Sequence, residues 1–115
     1  MNNKQPKIPP IAPTSDHNAA QIANQVAAVV NAYNRNLNPD EEVGLMLTSF
    51  GQTITVNITG IGYVGTKLIL FSGFLTSNNA PVELLQHVTQ LNFLLISLKR
   101  ENPQEEKKHI GFMRE

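Results

Sequence analysis

The clearest pattern in the chain is an alternation. Thr53-Ile54-Thr55-Val56-Asn57-Ile58-Thr59 carries a β-branched apolar residue at every second position, which sets Ile54, Val56 and Ile58 on one face of a strand. Val43 to Phe50 is a second apolar run, and Gly51-Gln52 stands between the two where a tight hairpin favours glycine. Lys67 to Phe74 is another, reached through the glycine-spaced connection Gly60-Ile61-Gly62-Tyr63-Val64-Gly65. Links this short cannot make parallel crossovers, so the runs predict a three-stranded antiparallel meander.

Two helical patterns flank it. From Asp16, a suitable N-cap, Ala19, Ile22, Ala23, Val26, Val29, Val30 and Tyr33 recur at the spacing of one buried stripe, and the helix should stop near Asn34 to Asn36 before the turn Asn38-Pro39-Asp40. Residues 83 to 100 predict a second, long C-terminal helix packed on the sheet, capped by Ser77 to Pro81 and stopped at Asn102-Pro103. At 100° per residue, Leu84, Val88, Leu91, Leu95 and Leu98 centre its apolar face, flanked by Leu85, Leu94 and Ile96. His87 and Asn92 fall inside that arc, and Phe93 on the polar side suggests a further covering element. His109 to Phe112 is expected to add at most a short final edge strand. The fold class is therefore α+β. Residues 1 to 15, with Pro6, Pro9, Pro10 and Pro13, read as a flexible tail ahead of a single domain over 16 to 115.

Composition narrows the function classes. Nine basic and nine acidic residues cancel, which disfavours a nucleic-acid polymer or an anionic membrane as partner. There is no cysteine and no apolar run of signal-peptide or membrane-spanning length, so the chain is expected to be soluble and cytoplasmic. Asn57-Ile58-Thr59 matches a glycosylation acceptor but reads as part of the strand.

Charge placement points to assembly. Between Val43 and Leu98 only Lys67 and Glu83 carry full charges, and between His17 and Asn34 there are none. A surface of Asn, Gln, Thr, Ser and Ala desolvates more cheaply than a charged one. The second face of the first helix, Ala20, Asn24, Ala27, Ala28 and Asn31, is small enough for another helix to pack closely. These features predict a homo-oligomer, most simply a symmetric dimer.

Chemistry is sparse. His17, His87 and His109 lie in separate segments, so no metal site is expected. No serine elbow or cysteine nucleophile is present, and the glycine segment after Ile58 joins strands where a phosphate loop would open a helix. Glu83 and His87, one helical turn apart, would make a structural contact before a catalytic dyad. An enzyme is not expected, nor a cofactor.

Four stretches in order, Gly60-Ile61-Gly62-Tyr63, Leu68-Ile69-Leu70-Phe71-Ser72-Gly73, Leu85-Gln86-His87-Val88-Thr89-Gln90-Leu91 and Ile110-Gly111-Phe112, resemble a small bacterial domain family of unknown function. Its members read approximately GIGY, LI-F-G, LIQHVSQL and IGF; Thr89 and Leu85 are the departures here. The resemblance implies no activity, but it marks Gln86, His87 and Gln90 as family features.

Two functions fit. In the first, the protein is a non-enzymatic homo-oligomer that binds a small polar or anionic ligand, for instance a nucleotide-derived signal that it sequesters. Tyr63 would stack on the ligand, Thr66 and Lys67 would hold its anionic part, and His87 with Gln90 would read its hydrogen-bonding edges. In the second, it is a protein-interaction or assembly module without a small-molecule ligand.

Overall fold

The computed structural model describes residues 18–49 and 51–112. The proline-rich tail of residues 1–15, Asp16 and His17 lie outside the described residues. Helix α1 (Ala19–Arg35) begins at Asn18, whose side-chain oxygen accepts from Gln21 N at 3.0 Å and so satisfies one of the otherwise unpaired first-turn amides. Its buried stripe is Ala19, Ala23, Ala27, Val30, Asn31 and Asn34. Three alanines on that stripe let the helix axis approach the sheet closely.

The sheet has six strands: β1 (Glu41–Ser49), β2 (Gln52–Val64), β3 (Leu68–Leu75), β4 (Pro81–His87), β5 (Leu94–Lys99) and β6 (Gly111–Phe112). They run in the order β4-β3-β2-β1-β5, all these neighbours antiparallel, while β6 pairs in parallel with β2 at Gly60 and Ile61. Ser49 pairs with Gln52, so the first hairpin turns within two residues, and Gly51 supplies the left-handed φ of 77° that this needs.

β2 is longer than the alternation suggests. The glycine-spaced segment expected to be a connection is the second half of this strand. The register slips between Ile58 and Gly60, leaving Thr59 as an extra residue without a partner on β3. This bulge reverses the alternation, so Ile58 and Ile61 both reach the helix-covered face. There they join Val43, Leu45, Ile69 and Phe71 in the buried core. Each such aliphatic or aromatic side chain, taken out of water, contributes roughly 1.5–3 kcal/mol.

The long C-terminal helix does not exist. Residues 81–99 form two edge strands, β4 and β5, joined by residues 88–93. The leucines fit a helical period, but Val82, Leu84 and Gln86 also fit a period of two, and register places them on the core side opposite Gly73, Phe71 and Ile69. Local spacing was ambiguous and the fold decided it: β3 and β1 each offered an unpaired edge, on which β4 and β5 pair. The fold is thus mostly sheet with one helix, and the meander is its centre.

The connection between the two edges runs over the core side of the sheet. Val88, Leu91 and Phe93 pack on the buried cluster, and the Phe93 ring meets Phe71 edge-on at 5.0 Å. Gln86 holds this connection like a ladder partner: Asn92 N donates to its Oε1 at 3.2 Å, and its Nε2 donates to Asn92 O at 3.4 Å. Phe93, expected on the polar side of a helix beneath a further covering element, instead lies partly buried on the core from within this connection. Asn92 is instead exposed, as are Leu94 at 61% and Leu85 at 52%, all three expected to face inward.

Candidate functional site

The register separates the residues singled out from sequence. Tyr63 pairs with Ile69 and packs on the core side, against the helix-covered cluster. Leu68 pairs with both Val64 and His87, which puts His87 on the opposite face. Thr66 and Lys67 are exposed in the β2–β3 turn, which is tied to two neighbours: Ala19 N donates to Thr66 O and Val88 N to Lys67 O, both at 2.8 Å. Lys67, His87 and Gln90 thus gather at one end of the sheet, and Tyr63 does not join them.

His87 has a local task. It closes a turn at the end of β4, where Gln90 N donates to His87 O at 2.9 Å and Thr89 N donates to Nδ1 at 3.2 Å. Thr89 Oγ1 also lies 2.8 Å from Nδ1. Glu83 stands four strand residues away, about 13 Å along β4, too far for the contact that a helix would have given. Gln90 is exposed in the turn.

A more coherent constellation lies along α1. Tyr63 faces Phe112 with ring centroids 6.3 Å apart. The two rings and Ala20, Gln21, Asn24 and Gln25 line a depression of ≈ 410 Å³. A second depression of ≈ 260 Å³ shares Asn24 and Phe112 with it and continues towards Arg35 and His109. Together they make one shallow groove, with two aromatic rings and a row of amides at one end and two groups able to carry positive charge at the other. Asn24 and Arg35 are about 16 Å apart along the helix axis.

The groove depends on a strap, residues 107–112, laid beside the helix. Buried Asn31 clamps Ile110 through both backbone groups, while Asn34 Nδ2 donates to Lys108 O at 3.4 Å and its Oδ1 accepts from Val43 N at 2.9 Å. Lys107 Nζ donates to the carbonyls of Asn34 and Asn38 at 2.8 and 3.2 Å, closing the C-terminus of the helix. Ala27 and Asn31, expected on a face open to another helix, are therefore buried by the chain itself. Of the groove residues, sequence reasoning found Tyr63 alone. The others were visible as an uncharged amide face on α1 and as the aromatic of Ile110-Gly111-Phe112, but nothing local to either connects them.

A larger depression of ≈ 500 Å³ sits between the other sheet face and residues 100–108, lined by Glu42, Glu101, Glu105 and Glu106 as well as Lys99, Arg100 and Lys108. Its arginine is committed to structure, donating to the carbonyls of Pro39 and Glu105, each at 2.5 Å, and of Pro103 at 3.4 Å. Among the described residues no group of three or more His, Asp or Glu could hold a metal ion, and no helix is long and apolar enough to cross a membrane.

One amide-faced helix laid on a bulged, mostly antiparallel sheet defines the class of domain. The chain belongs to the family of unknown function DUF6173, whose model matches residues 14–113. No curated protein and no solved structure matches it.

Proposed function

We propose that this chain is a non-enzymatic, homo-oligomeric domain that binds a small nucleotide-derived ligand in the groove along α1. The carrying observation is the order of chemistry in that groove. Tyr63 and Phe112 offer aromatic faces to a planar base, Gln21, Asn24 and Gln25 offer paired donors and acceptors to its edges, and Arg35 with His109 meet the negative charge of a phosphate. Both aromatics come from stretches on which the resemblance to the bacterial family rests, Gly60 to Tyr63 and Ile110 to Phe112. Thr66 is tied to the start of α1 through the bond from Ala19 N to its carbonyl, but neither it nor Lys67 lines the groove. His87 belongs to the opposite face and Gln90 to the exposed turn after it, and neither plays a part in this reading. Binding without turnover fits a groove with no nucleophile and base held together, and the absence of cysteine suits a reducing cytoplasm.

The test is direct. Protein denatured after gentle purification should release a nucleotide detectable by mass spectrometry, and the same compound should bind the stripped protein in calorimetry. Tyr63→Ala, Phe112→Ala and Arg35→Ala should each weaken it by tenfold or more while leaving the circular dichroism spectrum intact. Wild-type affinity in all of these variants would place the ligand elsewhere.

A second reading, an assembly module without a small ligand, draws on a different observation: the sheet face away from α1 exposes Leu85, Leu94 and Phe74. Wild-type protein that releases no nucleotide and ignores a nucleotide panel, yet self-associates, would favour it.

A further inference from the structure

The sheet face opposite α1 has no covering element over much of its extent. Register assigns its side chains. On the half of β2 after the bulge, Leu70 lies between Gly62 and Leu85, with Leu68 and Val64 in the next row. On the half before the bulge, Met46 lies between Thr55 and Leu94, with Ile96 in the next row beside Gly44. The face therefore carries two aliphatic patches at opposite ends of β2. Gly62 and Thr55 are separated by seven steps of strand, about 23 Å, floored by small and neutral groups such as Gly60, Gly44 and Asn57.

We infer that this face is the surface through which two copies of the chain pair, each copy's Leu85 patch seated on the other's Leu94 patch. The symmetry of a two-fold pair requires such a relation: if one patch contacts the other across the interface, the reverse contact follows. Two apolar patches on either side of a glycine-containing middle satisfy it with a single surface. The size also fits. Five strands at about 4.8 Å by some six residues at about 3.3 Å give roughly 480 Å² in projection, before side-chain relief is added, against about 800 Å² of accessible surface per partner in a stable pair. On the strands, Glu83 of β4 and Glu42 of β1 are the carboxylates on this face and neither belongs to a patch, while Glu101, Glu105 and Glu106 border its middle together with Lys99, Arg100 and Lys108, so charges of both signs meet there. The inference rests on the homo-oligomeric part of the proposed function and is independent of its ligand.

Sedimentation velocity on the full chain at tens of micromolar should show a dimer or an even-numbered multiple of it. Leu85→Glu and Leu94→Lys should each weaken pairing roughly 100-fold or more, since each buries an unpaired charge against an apolar patch. Mixed in equal amounts, the two should pair again, because one contact then joins Glu to Lys while the other keeps both leucines. Circular dichroism controls for folding, and Leu94→Thr, a strand former, replaces Leu94→Lys in the dissociation test if the lysine variant does not fold. A monomeric wild type overturns the inference, as do variants that stay paired and separated variants that do not recover on mixing. Dissociation by Val29→Glu on the exposed face of α1, with Leu85→Glu still paired, would move the interface to the helix and equally overturn it. Loss of nucleotide binding in Tyr63→Ala with pairing unchanged would leave it standing, so the two proposals fail separately.

Discussion

Asn31 treats Ile110 as a strand would: its Nδ2 donates to Ile110 O at 3.2 Å, and Ile110 N donates to its Oδ1 at 2.9 Å. A helix side chain thereby supplies the ladder that the two-residue strand β6 lacks at this position. Asn31→Ala leaves both backbone groups of a buried residue unpaired, at a cost of about 1–3 kcal/mol. Urea denaturation should show that loss, and limited proteolysis should cut the strap after Lys107 or Lys108 earlier than in the wild type. An unchanged midpoint and cleavage pattern would mean that the clamp is dispensable.

Gly73 and Gly44 look alike in sequence, and their tolerance should differ. A Cβ on Gly73 would collide with the carbonyl oxygen of Asn57 and lie 2.8 Å from Val56 Cγ1, so backbone must move. A Cβ on Gly44 meets the Leu98 side chain, with Cγ at 2.7 Å, which can rotate away on the partly open face, and lies 3.2 Å from Val56 O, a milder backbone contact than the one at Gly73. Gly73→Ala should cost about 1–3 kcal/mol or more, and Gly44→Ala under about 1 kcal/mol. Paired denaturation curves decide it, and equal losses would refute the distinction.

Phe93 and Gln86 together fasten the connection between the sheet's edges. Phe93→Ala removes the edge contact with Phe71 and should lower stability by roughly 2–4 kcal/mol, below the full range for a completely buried ring because Phe93 is partly exposed. Gln86→Glu keeps the acceptor for Asn92 N and loses the donor to Asn92 O, so it should cost less than Gln86→Ala. Thermal melts of the three variants test the order.

His87→Ala should fold normally. Its ring is partly exposed and its bonds lie within its own turn, so the loss should stay below about 1 kcal/mol. Failure to fold would show that the ring carries much more than the closure of that turn.

Salt should matter little to stability. Lys99 and Asp40 approach to 3.5 Å with side chains 84% and 51% exposed, and such pairs contribute about 0–1 kcal/mol. Urea midpoints at low and moderate sodium chloride should agree closely.

Where the alternation was clean, the chain was readable. Ile54, Val56 and Ile58 announced β2, Gly51 its hairpin, and the alanine-valine stripe announced α1. Residues 83 to 100 read as a helix because the leucines at 84, 91, 95 and 98 keep a helical period, while the strand period shows only in short runs such as Val82, Leu84 and Gln86, and the choice was made by open edges contributed from far away in the chain. The site suffered from the same non-locality. Tyr63 was a candidate from its neighbours, but its pairing with Phe112 needs a strap whose position is fixed by Asn31, an amide that looked like surface.

The extra residue at Thr59 makes β2 a strand with two phases. Deleting it would barely alter length, charge or hydropathy, yet it would turn Ile61 and Tyr63 outward and bring Gly60 and Gly62 in, emptying the core and dismantling the aromatic pair together. Members of this family that differ in length within β2 are therefore expected to gain or lose residues there two at a time.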